Sequence, residues 1–131
     1  KKKAIVYGLS ENVHFLGFVP KEEVNKVFKM SDNYVIASDF EGTSVSLLEA
    51  MYNSLPIIAS RAPGIIRTVT DNKDALMFTT KNAEELKINL LRICSDNNLK
   101  KTISLAAKET YEKNYNYDKM INEYMKILYR E

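Results

Sequence analysis

Four short apolar runs punctuate the chain: Val13–Leu16, Tyr34–Ala37, Ile57–Ala59 and Ala75–Phe78. Apart from His14 they do not alternate with polar residues, which is the pattern of strands covered on both faces. They begin about 20 residues apart, the spacing of strand–helix–strand units with right-handed crossovers. The segments between them read as helices. Val24, Val27 and Phe28 share a face after Pro20, with Glu22 and Glu23 in the first turn, where the helix dipole favours acid. Val45, Leu48 and Tyr52 share another, in a helix that Thr43 or Ser44 can cap. Gly64–Val69 is a short helical candidate after Pro63. The glycines, Gly8, Gly17, Gly42 and Gly64, all fall near changes of element.

Beyond Phe78 the pattern is helical only. Leu86, Leu90 and Cys94 recur at helical spacing, as do Leu99, Ile103 and Ala106, and then Tyr117, Ile121, Tyr124 and Leu128, with Asp118 as the cap of the last helix. At the other end, Ala4–Leu9 reads as the close of a helix. The chain is thus expected to be α/β, a parallel sheet of about four strands flanked by helices with a helical C-terminal tail. A complete doubly wound domain opens on a strand and a glycine-rich turn. Neither is found at the start, so residues 1–131 read as one domain truncated on its N-terminal side.

Composition narrows the function classes. A length of 131 residues suits one domain with its own core, and 45% hydrophobic with 27% charged residues is ordinary for a globular protein. A net charge of +2 gives no field that calls for nucleic acid. Cys94, the only cysteine, excludes an internal disulfide, fits a reducing compartment, and falls where a helix would pack it. No run approaches the roughly 18 apolar residues of a membrane span, and no signal peptide opens the chain, so a cytoplasmic protein is expected. Peripheral membrane association stays open for a longer parent. No metal or cofactor is expected, because no His/Cys/Asp cluster has ligand spacing and no nucleophile pairs with a histidine. His14 reads as a structural histidine, and the tyrosines of the tail read as packing residues.

One stretch carries chemistry: Ser38-Asp39-Phe40-Glu41-Gly42-Thr43-Ser44-Val45, continuing through Leu48-Glu49-Ala50-Met51. A strand ends, Gly42 permits a tight turn, and a helix begins, at the carboxyl end of a parallel strand where open α/β sheets bind ligands. The amides from Gly42 to Val45 would be unpaired at the helix start, and an anionic phosphate is their natural occupant. Glu41 and Glu49 flank this cradle. On spacing alone they divide evenly between two readings: acceptors for the hydroxyls of a sugar or ribose, or an amide-capping residue and a solvated helix residue.

These residues resemble the signature of the large retaining glycosyltransferase family with two Rossmann-like domains (family 4, once called group 1). That family carries two glutamates separated by seven residues, here Glu41-Gly42-Thr43 through Leu48-Glu49-Ala50-Met51. Asn12-Val13-His14-Phe15-Leu16-Gly17 resembles the strand before the site, Leu55-Pro56-Ile57-Ile58-Ala59-Ser60 the strand after it, and Tyr117 onward the aromatic-led last helix. The resemblance implies a nucleotide-sugar-binding C-terminal domain. Glu41 would be the catalytic-site residue touching donor sugar hydroxyls. Gly42, Thr43, Ser44 and Val45 would offer amides to the sugar and diphosphate, and Glu49 would hold the ribose. Phe18 and Val19 are candidates for contact with the base.

Three departures accompany it. Pro63-Gly64 stands where two glycines are usual, with Arg67 in place of a glutamate. Ala75 replaces a glycine at the last strand. The Arg and Lys that grip the diphosphate in the family come from a segment this sequence lacks. No donor contact is therefore carried to the Gly64 loop, and Arg61 reads as a solvated loop arginine.

What the resemblance implies is a donor-binding half that serves transfer from a nucleotide diphosphate sugar to a saccharide or lipid-linked acceptor with retention, the acceptor being held by a missing N-terminal domain. The fragment alone is expected to be inactive. The alternatives are a non-catalytic nucleotide-sugar-binding module and an epimerase-like α/β domain. The family's strand order resembles 3-2-1-4-5-6, and the runs here correspond to its third to sixth strands. With the two strands between Val13–Leu16 and Tyr34–Ala37 absent, those runs are expected to pair directly.

Overall fold

In the computed structural model, which describes residues 1–129, β1 (Tyr34–Ile36), β2 (Ile57–Ser60) and β3 (Leu76–Phe78) form one parallel sheet in the order β1-β2-β3. The register sets Val35 against Ile58 and Ile58 against Leu76. β2 lies between the other two and every residue of it is buried, which explains its unbroken apolar run. Around the sheet stand α2 (Lys21–Lys29), α3 (Val45–Tyr52), α4 (Ala83–Ser95) and α5 (Asn97–Asn114), with α1 (Lys2–Val6) before them and α6 (Tyr117–Tyr129) after. The α/β class, the parallel sheet and the helical tail follow the sequence pattern.

Alternation along the strands splits the core into two. Ile57 and Ala59 of β2 face Ile36, Leu47, Met51, Ala62, Ile65 and Ala107. Ile58 points the other way and packs with Leu76, Phe78, Ile93 and Ile103. The 18 residues of α5 serve both clusters: Ile103 sits in one and Ala107 in the other, one helical turn later. Burying a side chain of the size of Leu47 or Ile58 contributes about 1.5–3 kcal/mol each.

Helix ends follow local chemistry. The Asn82 side chain accepts from the Glu85 amide to start α4, and Asp96 accepts from the Asn98 and Leu99 amides to start α5. After α1 the Leu9 amide bonds the Ala4 carbonyl and the Gly8 amide bonds Ile5, a stop in which Gly8 takes φ +67°. The same stop closes α3 with Ser54 at φ +57°, an uncommon conformation for a residue with a Cβ.

The structure corrects several expectations. The sheet has three strands, and Val13–Leu16 is not one of them. Among the described residues those four make no backbone hydrogen bond, and Val13, Phe15 and Leu16 are exposed. Direct pairing with Tyr34–Ala37 does not occur. β1 stays an edge strand with Val35 41% exposed, and an apolar run without a hydrogen-bonding neighbour cannot hold strand geometry. His14 is exposed rather than packed. Gly64–Val69 tightens into a 3-10 turn over Ile65–Arg67.

Cys94 is exposed, and Asn89 and Ile93 take the buried positions of α4. In α5 it is Ala107, not Ala106, that is fully buried. Asn116 rather than Asp118 caps α6, its side-chain oxygen accepting from the Lys119 amide at 2.8 Å. The tail face of Tyr117, Ile121, Tyr124 and Leu128 is exposed, and α6 buries no residue. No described helix is long and apolar enough to cross a membrane.

Candidate functional site

Ser44 settles the start of α3. Its side chain accepts from the Leu47 amide at 3.4 Å and is itself buried. A chain of hydroxyls fastens this cap to the sheet: Ser44 Oγ lies 3.2 Å from Ser46 Oγ, which lies 2.7 Å from the Tyr34 hydroxyl on β1. Burial pushes the Tyr34 phenol above 10.0; the hydrogen bonds to Ser46 and Ser44 oppose this, and the charges of Glu41 and Glu49 reinforce it. The phenol therefore stays neutral in physiological solution. Glu41 precedes α3 and Glu49 lies within it, and the cavities that the two carboxylates line share Tyr115.

Glu41 is half-buried and oriented. Ser38 Oγ donates to its Oε2 at 2.9 Å, and Ser60 Oγ at the end of β2 donates to the Ser38 carbonyl at 2.7 Å. Glu49 is half-buried one turn into α3, beside Val45, Leu48, Tyr52, Tyr111 and Tyr115, which line a shallow apolar cavity of about 270 Å³. Among the described residues the amides of Gly42, Thr43, Ser44 and Val45 donate to no other group. Gly42, Thr43 and Val45 are exposed. These are unfilled donors at the positive end of a helix. Phe18 is 91% exposed and Val19 half-buried ahead of α2, and neither lines the cavities around the two glutamates.

The Gly64 loop is part of the site, which the sequence reading did not foresee. The Gly64 amide donates to the Glu41 carbonyl at 3.0 Å. A Cβ on Gly64 would collide with the Glu41 and Gly42 carbonyl oxygens and lie 2.6 Å from the Gly42 carbonyl carbon. Gly42, by contrast, has open space around its missing Cβ and no positive φ, so the close approach that demands glycine is at Gly64. Phe40, Glu41, Gly42, Thr43, Pro63, Gly64, Arg67, Thr68 and Tyr115 enclose a cavity of about 430 Å³. Arg61 is half-exposed and engaged, its guanidinium 2.5 Å from Asp71. A separate cavity of about 350 Å³ lies between the 3-10 turn and α5. The rarity of glycine was the available signal for Gly64; nothing in the sequence marked Tyr115.

The model of the family of glycosyl transferases group 1 matches residues 1–110. The chain belongs to that family. An uncharacterized glycosyltransferase of Methanocaldococcus jannaschii is 32% identical over 123 residues, 93% of this chain and 31% of that protein. Solved structures share the fold. The crystal structure of the C-terminal domain of a group 1 glycosyl transferase, LpcC from Francisella tularensis, superposes with a TM-score of 0.80 at 24% identity, covering 88% of this chain and 60% of that one. Anabaena HepE in complex with UDP-glucose superposes with a TM-score of 0.92 at 20% identity, covering 99% and 35%. The chain spans about a third of the length of the curated relatives it matches. Membership of a group 1 glycosyl transferase family sets aside the epimerase-like alternative, which rested on architecture alone.

Proposed function

We propose that this chain is the donor-binding half of a glycosyltransferase that moves a sugar from a nucleotide diphosphate sugar to a saccharide or lipid-linked acceptor with retention, the acceptor being held by an N-terminal domain. The observation that carries this reading is the meeting of an oriented carboxylate, Glu41, with four uncommitted amides, Gly42 to Val45, at the carboxyl end of β1. Glu49 one turn further on completes the set. A phosphate fits the amides, a sugar hydroxyl fits Glu41 and a ribose fits Glu49. In the reaction the bond from the anomeric carbon to the diphosphate oxygen breaks, a bond to the acceptor oxygen forms, and the acceptor's hydroxyl proton leaves with the diphosphate. Charge grows on the departing diphosphate, where amides that need no reorientation stabilise it. A UDP-glucose complex of the similarly folded HepE supports a donor of this class.

Glu49→Gln and Glu41→Ala in the full-length protein separate the two roles. Glu49→Gln should weaken UDP binding by about 1.5–3 kcal/mol in titration calorimetry, the value of a charge-assisted hydrogen bond. Glu41→Ala should leave UDP affinity unchanged and abolish most sugar transfer. Unchanged UDP affinity in Glu49→Gln takes Glu49 out of the site. Nucleotide-sugar binding without transfer to any acceptor favours the non-catalytic module.

A further inference from the structure

Arg67 ends the 3-10 turn and lines the cavity that holds Glu41, Gly42 and Thr43. Among the residues lining that cavity it is the only cation, and Glu41 the only anion. Two other arginines of the fold are spoken for: Arg61 pairs with Asp71, and Arg92 reaches the side-chain oxygens of Asn89 and Asn72. The Arg67 guanidinium makes no ion pair or hydrogen bond among the described residues, although its backbone is held firmly. The Tyr115 hydroxyl donates to its carbonyl at 3.3 Å, and at the other end of the turn the Gly64 amide is bonded to Glu41. The cavity thus joins an unpaired guanidinium, on a backbone that is held, to the unfilled amides of Gly42 and Thr43. Both are donors only, and together they ask for a group with several acceptor oxygens and a negative charge.

We propose that Arg67 is a further donor-binding residue that recognises an oxyanion of the nucleotide sugar. The inference rests on the donor-site reading above. A guanidinium fork suits a phosphate or a carboxylate equally, so the oxyanion is either the diphosphate or an acid carried on the sugar ring.

The test titrates UDP, UDP-glucose and UDP-glucuronate into the full-length protein, its Arg67→Gln variant and its Arg67→Lys variant. The guanidinium of Arg67 supports no other group, so both variants should melt with the wild type. Arg67→Gln should bind at least one of the three ligands about tenfold or more weakly, and Arg67→Lys should recover only part of the loss. An equal loss for all three identifies the diphosphate as the partner, and a loss confined to UDP-glucuronate identifies the sugar's carboxylate. Wild-type affinity of Arg67→Gln for all three overturns the proposal while leaving the donor site standing. A wild-type protein that binds none of them, nor ADP or GDP, overturns the donor-site reading, and the role of Arg67 with it.

Discussion

Gly64→Ala tests whether the loop before the 3-10 turn shapes the proposed donor site. Glycine is required there for space and not for conformation, since φ at Gly64 is −75°. The added Cβ would meet backbone atoms of Glu41 and Gly42, which cannot swing aside as a side chain could. It would lie 2.6 Å from the Gly42 carbonyl carbon, against 3.4–4 Å for ordinary contact, and the oxygens are closer still. The two loops must therefore part by more than about 1 Å, and a displacement of that size can cost about 100-fold in catalysis. The Gly64–Glu41 hydrogen bond would stretch with them. Overpacking costs about 1–3 kcal/mol, and the stiffer unfolded chain returns roughly 0.4–1 kcal/mol, so a net loss of about 1–2 kcal/mol is expected. Gly42→Ala is the stability control, because its Cβ meets nothing within 4 Å and only the unfolded-chain gain of roughly 0.4–1 kcal/mol applies. Urea melts of both variants and UDP titration of Gly64→Ala give the answer. A Gly64→Ala protein as stable as Gly42→Ala, with native UDP affinity, would refute the steric argument.

Two further expectations concern the scaffold. The Thr79 amide, then the Thr79 hydroxyl, with help from Arg61 and Asn82, hold the Glu85 carboxyl below its ordinary 4.5. Stability from a depressed carboxylate is present above that value and lost as pH falls through the folded one. Glu85→Gln should therefore lower the urea midpoint at pH 7, with a gap that narrows progressively as pH falls below 4.5; a gap that stays constant rules this out. Ser54→Gly removes a left-handed Cβ cost of roughly 1–2 kcal/mol and gives back roughly 0.4–1 kcal/mol of unfolded-chain entropy, so it should raise stability by about 0.5–1 kcal/mol. A melting temperature that fails to rise would show that Ser54 is unstrained.

What the sequence made legible was whatever burial writes directly into residue type. Tyr34–Ile36, Ile57–Ala59 and Leu76–Phe78 lie in the apolar runs that mark buried strands, and Ser44, one of two candidate caps, announces α3 by its chemistry. Val13–Leu16 misled because apolar residues declare a need for cover without naming the strand that gives it. Cys94 misled by phase: steps of four residues drift about 40° each around a helix, so two steps from Leu86 rotate Cys94 outward and bring Ile93 inward. At the site, Glu41, Glu49 and the amides between them stood in one contiguous motif. The Gly64 loop and Tyr115 reach the same cavity from far along the chain, and only folding reveals them.

The shared service of α5 to both core clusters bears on how the pocket comes into being. Its Ile103 seals one face of the sheet and its Ala107 the other, and Tyr115 at its C-terminal cap walls the cavities beside Glu41 and Glu49. Undocking α5 would open both faces of the sheet together, so little room exists for a partly unfolded intermediate with one face intact. The pocket therefore inherits the cooperativity of the whole domain: Tyr115 arrives with the closing of the core, and the hydrogen-bonded amides of α5 and β2 should exchange with solvent through global opening.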